Sequence, residues 1–148
     1  MLNYLLAWQD IPYWSLAPEY PPRLSIDVVI PAHNEAATIQ SCLRSVLAND
    51  YPADLFTVWV VDDYSTDTTA AQVQALQSTY PQLRLIRMAE CLPADPEGVA
   101  FKKQAIATAI AAGSAELIVT TDADCVVPQH WLRHSSTLFE PKSVVMAN

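Results

Sequence analysis

The sequence predicts an α/β fold: a mostly parallel sheet with helices on both faces. Apolar runs of strand length alternate along the chain with segments whose apolar residues recur at helical spacing. The strand-like runs are nearly continuous in apolar residues, the pattern of strands buried on both faces. Polar, acid-rich loops follow three of them, at the sheet edge where open α/β folds bind ligands. With 148 residues, 51% hydrophobic and 16% charged, the chain has the size of one domain and the material for a real core.

Residues 1–24 read as an aromatic and proline-rich arm, and residues 25–148 as the α/β domain. "APEYPPR" is an extended, proline-stiffened linker. "LSIDVVIP" is the first strand and ends at Pro31. "EAATIQSCLRSVLA" is a helix with Ile39, Leu43, Val46 and Leu47 on one face, and Asn34 is its expected N-cap. "NDYPAD" turns the chain into the second strand, "LFTVWVV". After the loop "DDYSTD", "TTAAQVQALQSTY" is a helix with Val73, Leu76 and Tyr80 inward, and Pro81 stops it. "LRLIRM" is the third strand and "AECLPADPEG" a loop. "VAFKKQAIATAIAAG" is a helix that Gly113 ends from a C-terminal cap position. "AELIVTT" is the fourth strand, and "DADCVV" leaves it. Pro128 suits the first turn of a last helix, "PQHWLRHSSTLF". "SVVMAN" is expected to be a further strand.

A net charge of −8 argues against nucleic acid as a partner, since phosphate binding needs a basic surface. An acidic protein that holds an anionic ligand needs a local cation, and a bound metal is one source. The three cysteines, Cys42, Cys91 and Cys125, form no CxxC or Cys/His cluster and read as reduced core thiols in a cytoplasmic protein. No run reaches the roughly 18 apolar residues of a membrane span. The aromatic start, with Leu5, Leu6, Trp8 and Trp14, has two readings: an arm packed on the domain or an interfacial foot on a membrane. The lack of lysine and arginine before Arg23 favours the first.

The three loops, "PAHNE", "DDYSTD" and "DAD", converge on one crevice if the strands are parallel. Asp62 and Asp63 are adjacent, so alternation aims them apart. One faces the crevice, where it accepts from a base N–H or a sugar hydroxyl; the other caps a helix or takes backbone amides. Ser65 and Asp67 read as turn and cap residues. Asp122 and Asp124, two apart in extended chain, bring two carboxylates to one point, which is repulsive without a cation. Hard oxygen ligands suit Mg²⁺ or Mn²⁺, completed by substrate phosphate and water. A solvated acidic loop is the plain alternative. One of Lys102 and Lys103 can reach a diphosphate as a point charge, the other belonging to a solvated helix face. His33 either meets a base or is a loop histidine. His130 and His134 share a helix face without a third ligand and read as structural or surface residues, and Trp131 as packing.

"VVIPAHNEAATIQSCLRSVLANDYPADLFTVWVVDDYSTDTTA", followed by "KKQAIATAIAAGSAELIVTTDADCVVPQHWL", resembles the large inverting family-two glycosyltransferases with the GT-A, Rossmann-like fold. The likeness spans roughly Ile26 to Leu132. It implies a nucleotide-diphosphate sugar donor, UDP- or GDP-linked, a divalent metal (Mg²⁺ or Mn²⁺), and a saccharide or lipid-linked acceptor. Pro31, Ala32, His33 and Glu35 match the first nucleotide-binding loop, and Asp63 the aspartate that reads the base, with Asp62 beside it. Lys102 matches the basic position near the donor. Asp122, Ala123 and Asp124 match the DxD motif, with Asp124 the more direct metal ligand and Asp122 on ribose or metal-bound water. The catalytic base of the family lies in a later segment, often an acidic pair, and Glu140 follows the DxD too closely to be it. The chain is therefore expected to be the N-terminal, C-terminally truncated part of a longer enzyme, or a donor-binding module without a base. Flanking segments would place such an enzyme in the cytoplasm at the inner face of a membrane. A receiver-like signalling domain also gathers aspartates at strand ends, but its acceptor aspartate would end the third strand, where Met88-Ala89-Glu90 stands.

Overall fold

A computed structural model describes residues 21–91 and 101–139, the side chains of Phe101 and Lys102 apart. Four strands, β1 (Ile26–Ala32), β2 (Phe56–Asp62), β3 (Leu83–Arg87) and β4 (Leu117–Thr120), form one sheet in the order β3-β2-β1-β4. All three pairings are parallel, with Ile26 opposite Phe56 on one side and Leu117 on the other. Among the described residues five helices accompany them: α1 (Ile39–Leu47), α2 (Thr69–Gln77), α3 (Met88–Cys91), α4 (Phe101–Ala112) and α5 (Trp131–Thr137).

The apolar runs form these strands because helices cover the sheet on both faces. Ile26, Val28, Ile30 and Ala32 of β1 pack in one core with Ile39, Cys42, Leu43 and Val46 of α1 and with Val73 and Leu132. Val29 turns to the other face, where it meets Val61, Met88 and the small residues Ala105 and Ala109 of α4. Spacings of three, four and seven from Ile39 make α1 amphipathic. Cys42 completes its inner stripe, and Leu47, expected there, is only partly buried. Leu76, Tyr80 and Trp131 pack against the first core from its margin, as their sequence positions suggest.

From β1 the chain moves one way to β2 and β3, then crosses back to place β4 on β1's other side. The loops leaving β1 and β4 therefore part, and a crevice opens at the carboxyl edge of the sheet. Pro31 fits there for a backbone reason. Val29 offers its carbonyl to Thr121 N–H on the β4 side, and Pro31, of the same parity, would aim its missing N–H that way. β4 pairing ends at Val29–Thr120, so no ladder bond is lost.

Several local expectations change. α1 begins at Ile39 after a turn in which Thr38 and Ile39 N–H groups meet the Glu35 carbonyl, so Asn34 is not its N-cap. Asn34 has a left-handed backbone (φ 55°) that swings its amide toward the second loop. Residues 88–91, expected as strand end and loop, form α3, because Met88 is drawn into the second core. Cys42 alone is a core thiol; Cys91 and Cys125 are exposed, and all three are free.

Gly113 does end α4, its N–H bonding to the Ala109 carbonyl, but not as a left-handed cap. A Cβ there would lie 2.1 Å from Asp27 Oδ2. Asp27 is buried in β1, and that oxygen accepts the N–H groups of Ser114 and Ala115, both at 3.0 Å. Its Oδ1 accepts Trp59 Nε1–H at 2.8 Å. This carboxylate ties the α4–β4 connection to the sheet, and sequence reading assigned it no role. Residues 1–20 of the arm, residues 92–98 of the expected loop, the expected helix start Val99-Ala100, Glu140 and the strand expected at 143–148 lie outside the described residues.

Candidate functional site

The crevice has a volume of about 290 Å³ and is lined by Pro31, Ala32, His33, Glu35, Asp63, Asp122, Ala123 and Asp124. Three loops meet there, after β1, β2 and β4, and each brings at least one carboxylate.

Hydrogen bonds between the first two loops fix their shape. Asn34 Oδ1 accepts Thr66 N–H at 2.8 Å, and Asn34 N–H meets Ser65 Oγ at 2.9 Å. Asp67 takes the N–H of Ala36 at 3.1 Å and that of Thr69, at the start of α2, at 2.9 Å. The Thr69 hydroxyl and these N–H groups hold the Asp67 carboxyl below the usual carboxylate range. Ser65 and Asp67 both act in turns, as expected, but neither is the N-cap of α2, which is Thr68: Ser65 bonds across to Asn34, and Asp67 takes Thr69 N–H locally. His33 donates Nδ1–H to the Asp63 carbonyl and receives Asn34 Nδ2–H on Nε2, which sets its tautomer. One Glu35 oxygen is held by the Thr38 hydroxyl at 2.7 Å. Tyr64 shares Asn34's left-handed backbone (φ 54°), an unusual conformation for a bulky residue, beside the crevice.

Asp62 and Asp63 do point apart. Asp63 faces the crevice, and its Oδ1 is buried without a hydrogen bond among the described residues. Asp62 lies beneath the lining, 2% exposed. It caps no helix, contrary to expectation, because at the strand end it faces Arg87 of β3, with Nε 3.9 Å from Oδ2. Burial pushes the Asp63 carboxyl above the usual carboxylate range; His33 opposes the shift and the Asp62 charge adds to it.

That shift has a stability consequence. A carboxyl raised on folding costs nothing below its unfolded pKa, and the cost grows as pH rises through the folded value. Asp63→Asn is therefore expected to raise the melting temperature of the unliganded chain at neutral pH, with the gain vanishing in acid. Thermal melts across pH check this; an equal gain at every pH would contradict it.

Asp122 and Asp124 sit on a tight turn rather than in extended chain, since Cys125 N–H meets the Asp122 carbonyl at 3.2 Å. Ala123, 3% exposed, anchors the turn in the core while both aspartates stay exposed at the crevice. Beneath the turn, Cys42 Sγ lies 3.5 Å from the Asp122 carbonyl. Burial, and next the thiol and carboxylates around it, push the Cys42 thiol up to about 11. Asn49, overlooked in the sequence, pins the segment between this turn and α5. Its Nδ2 donates to the Ser45 and Pro128 carbonyls, and its Oδ1 accepts Leu132 N–H at 2.9 Å. No short motif marks such a residue; only its asparagine at a helix end hints at it.

Four carboxylates and one imidazole line the crevice, so a diphosphate needs a cation to enter. No group of three or more His, Cys, Asp or Glu side chains among the described residues forms a metal cage. Two hard carboxylates at an open mouth nonetheless fit Mg²⁺ or Mn²⁺, which take most remaining ligands from phosphate and water. Lys102 lies in the first turn of α4, with its side chain outside those described. The far end of that helix is at Asp27, near the start of β1, so Lys102 belongs to the carboxyl edge of the sheet. Lys103 is exposed. His130 and Arg133 both pair with Asp50, at 3.3 and 3.0 Å, and His130 and His134 stand outside the crevice as expected.

The family profile described as "Glycosyl transferase family 2" matches residues 27–146. A beta-monoglucosyldiacylglycerol synthase of Synechocystis is 32% identical over 112 residues, 76% of this chain and 22% of the relative. An N-acetylglucosaminyltransferase of Rhizobium meliloti is 36% identical over 111 residues, 74% of this chain and 24% of the relative. The chain thus spans about a quarter of the length of these curated relatives. A mannosyltransferase of Pyrobaculum calidifontis, solved with GDP-Man and Mn²⁺, superposes with a TM-score of 0.69 at 33% identity, over 95% of this chain and 40% of its own.

Proposed function

Because this chain belongs to glycosyl transferase family 2, we propose that its crevice binds a nucleotide-diphosphate sugar, UDP- or GDP-linked, for transfer with inversion. The acceptor is a saccharide or lipid-linked hydroxyl met by the whole protein. The observation that carries this reading is the meeting of three loops in one crevice, with a buried Asp63 oxygen that has no partner among the described residues and the Asp122–Asp124 turn in its lining. The similar mannosyltransferase solved with GDP-Man and Mn²⁺ supports the donor class and the metal.

Each residue has a distinct task. Asp63 accepts an N–H of the base, which satisfies an oxygen that otherwise stays buried and bare. Pro31, Ala32, His33 and Glu35 form the wall against the nucleoside, made rigid by the Asn34 and Asp67 cross-links. Asp122 and Asp124 would hold the divalent metal, with Ala123 as the seat of their turn. A bound metal supplies positive charge that stabilises the departing diphosphate. Lys102, at the same edge, adds a point charge for that group. A lipid-linked acceptor would bring the whole protein to the inner face of a membrane; no helix among the described residues is long and apolar enough to cross one.

Titrating UDP and GDP with and without Mn²⁺ tests the reading. One of them is expected to bind, and more tightly with the metal. No metal-dependent binding of either would overturn it.

A further inference from the structure

Three buried polar atoms at the carboxyl edge make no hydrogen bond among the described residues: Asp62 Oδ1, Asp63 Oδ1 and Arg87 Nε. Such atoms are rare in a folded protein, and three together call for a common cause. They are neighbours: Asp62 and Arg87 are paired in register across β2 and β3, and Asp63 follows Asp62. Arg87 Nε stands 3.9 Å from Asp62 Oδ2, inside ion-pair range and beyond hydrogen-bond length. Among the described residues, no other lysine or arginine forms an ion pair with either carboxylate. On its outer side Arg87 is held by Glu90 of α3, Nη1 to Oε1 at 2.8 Å.

We propose that Arg87 is a positioning residue for nucleotide recognition: as the counter-charge of Asp62, it keeps Asp63 able to accept an N–H from the donor's base. The proposal rests on the assignment of Asp63 to the base. The Asp62 charge adds to the upward push on the Asp63 carboxyl, and a cation that offsets Asp62 weakens that push. A proton on Asp63 weakens the acceptor that the base needs. The other groups around Asp63 do not replace Arg87. Glu35, Asp122 and Asp124, which line the same crevice, are carboxylates and supply no counter-charge. Tyr64 brings no cation. His33 opposes the push on Asp63, but its Nδ1–H goes to the Asp63 carbonyl and it does not offset Asp62 itself.

The test measures nucleotide affinity with saturating Mn²⁺, as the ratio of variant to unsubstituted chain, in mildly acidic and mildly alkaline buffer. Arg87→Met, which keeps the apolar stem, is expected to weaken binding roughly tenfold in mild acid. In mild base the loss shrinks. Arg87→Lys, which keeps the charge, restores most of the affinity. An equal loss at both pH values, no loss, or failure of lysine to restore binding would each overturn the proposal. Asp63→Ala separates the two readings. If it binds as the unsubstituted chain does, the assignment of Asp63 falls and the proposal with it. If it loses binding while Arg87→Met keeps it, only the role of Arg87 falls.

Discussion

Asp124→Ala is expected to remove the effect of Mn²⁺ on nucleotide binding while leaving the fold intact. Losing a partner one shell removed from a metal costs about 10–100-fold in affinity. Losing a direct carboxylate ligand from a site with only two should cost at least about 100-fold. The fold should be indifferent, because the turn is made by backbone, Cys125 N–H to the Asp122 carbonyl, and is seated by the buried Ala123. Asp124 is exposed, and an exposed truncation of this kind changes stability within about 0.5 kcal/mol. The weak binding expected without metal should persist in Asp124→Ala. It should fall in Asp63→Ala whether metal is present or not. Isothermal titration of the three proteins with and without Mn²⁺ checks the pattern. Retention of the metal effect in Asp124→Ala would remove this residue from the metal site.

The second large effect lies at the opposite end of the sheet. Gly113→Ala forces a Cβ to within 2.1 Å of Asp27 Oδ2 and 2.9 Å of its Cγ, with the Ala109 carbonyl at 3.4 Å behind. The carboxylate cannot retreat without dropping Trp59 Nε1–H and the Ser114 and Ala115 N–H groups. Overpacking alone costs about 1–3 kcal/mol, and each orphaned buried donor about as much again. A loss of roughly 3 kcal/mol or more results, a large part of the ~5–15 kcal/mol that holds an ordinary domain together. Asp27→Ala should cost a similar amount through the three abandoned donors, yet it also opens space at Gly113. The double variant should therefore be less damaged than the sum of the two, by roughly 1–3 kcal/mol of coupling. Urea midpoints of the four proteins measure it. Additive losses, or a Gly113→Ala chain as stable as its parent, would contradict the steric account.

Residue by residue, the sequence was most informative where a signal is local. Near-continuous apolar runs mark β1 and β2 because both faces of those strands are covered, and the helical spacing of Ile39, Leu43 and Val46 marks α1. Parallel strands then send their outgoing loops to one edge, so "PAHNE", Asp63 and the DxD turn could be placed together before any coordinates. Where local chemistry allowed two outcomes, reading failed in instructive ways. Asn34 has the composition of a cap, but its amide bonds to Thr66, 32 residues away. Gly113 sits where a cap glycine sits, but its reason is Asp27. Asp62, expected beside Asp63 at the donor site with the cap or backbone role open between the two, instead faces Arg87. Asp27 looked like one polar residue on a strand and proved to be a buried tie.

By itself, then, the sequence determined the fold class, the order of its elements, and the carboxylates that gather at one edge of the sheet. Hydrophobic period and turn chemistry act between neighbours in the chain, and neighbours are what a sequence displays. Only the tertiary structure decided the strand order β3-β2-β1-β4 and the partner of each buried polar side chain. Those partners are distant: Asp27 meets the Ser114 amide 87 residues on, and Asn49 the Leu132 amide 83 residues on. A polar group taken out of water must find a partner, and which partner is within reach is set by the packing of the whole sheet and its helices.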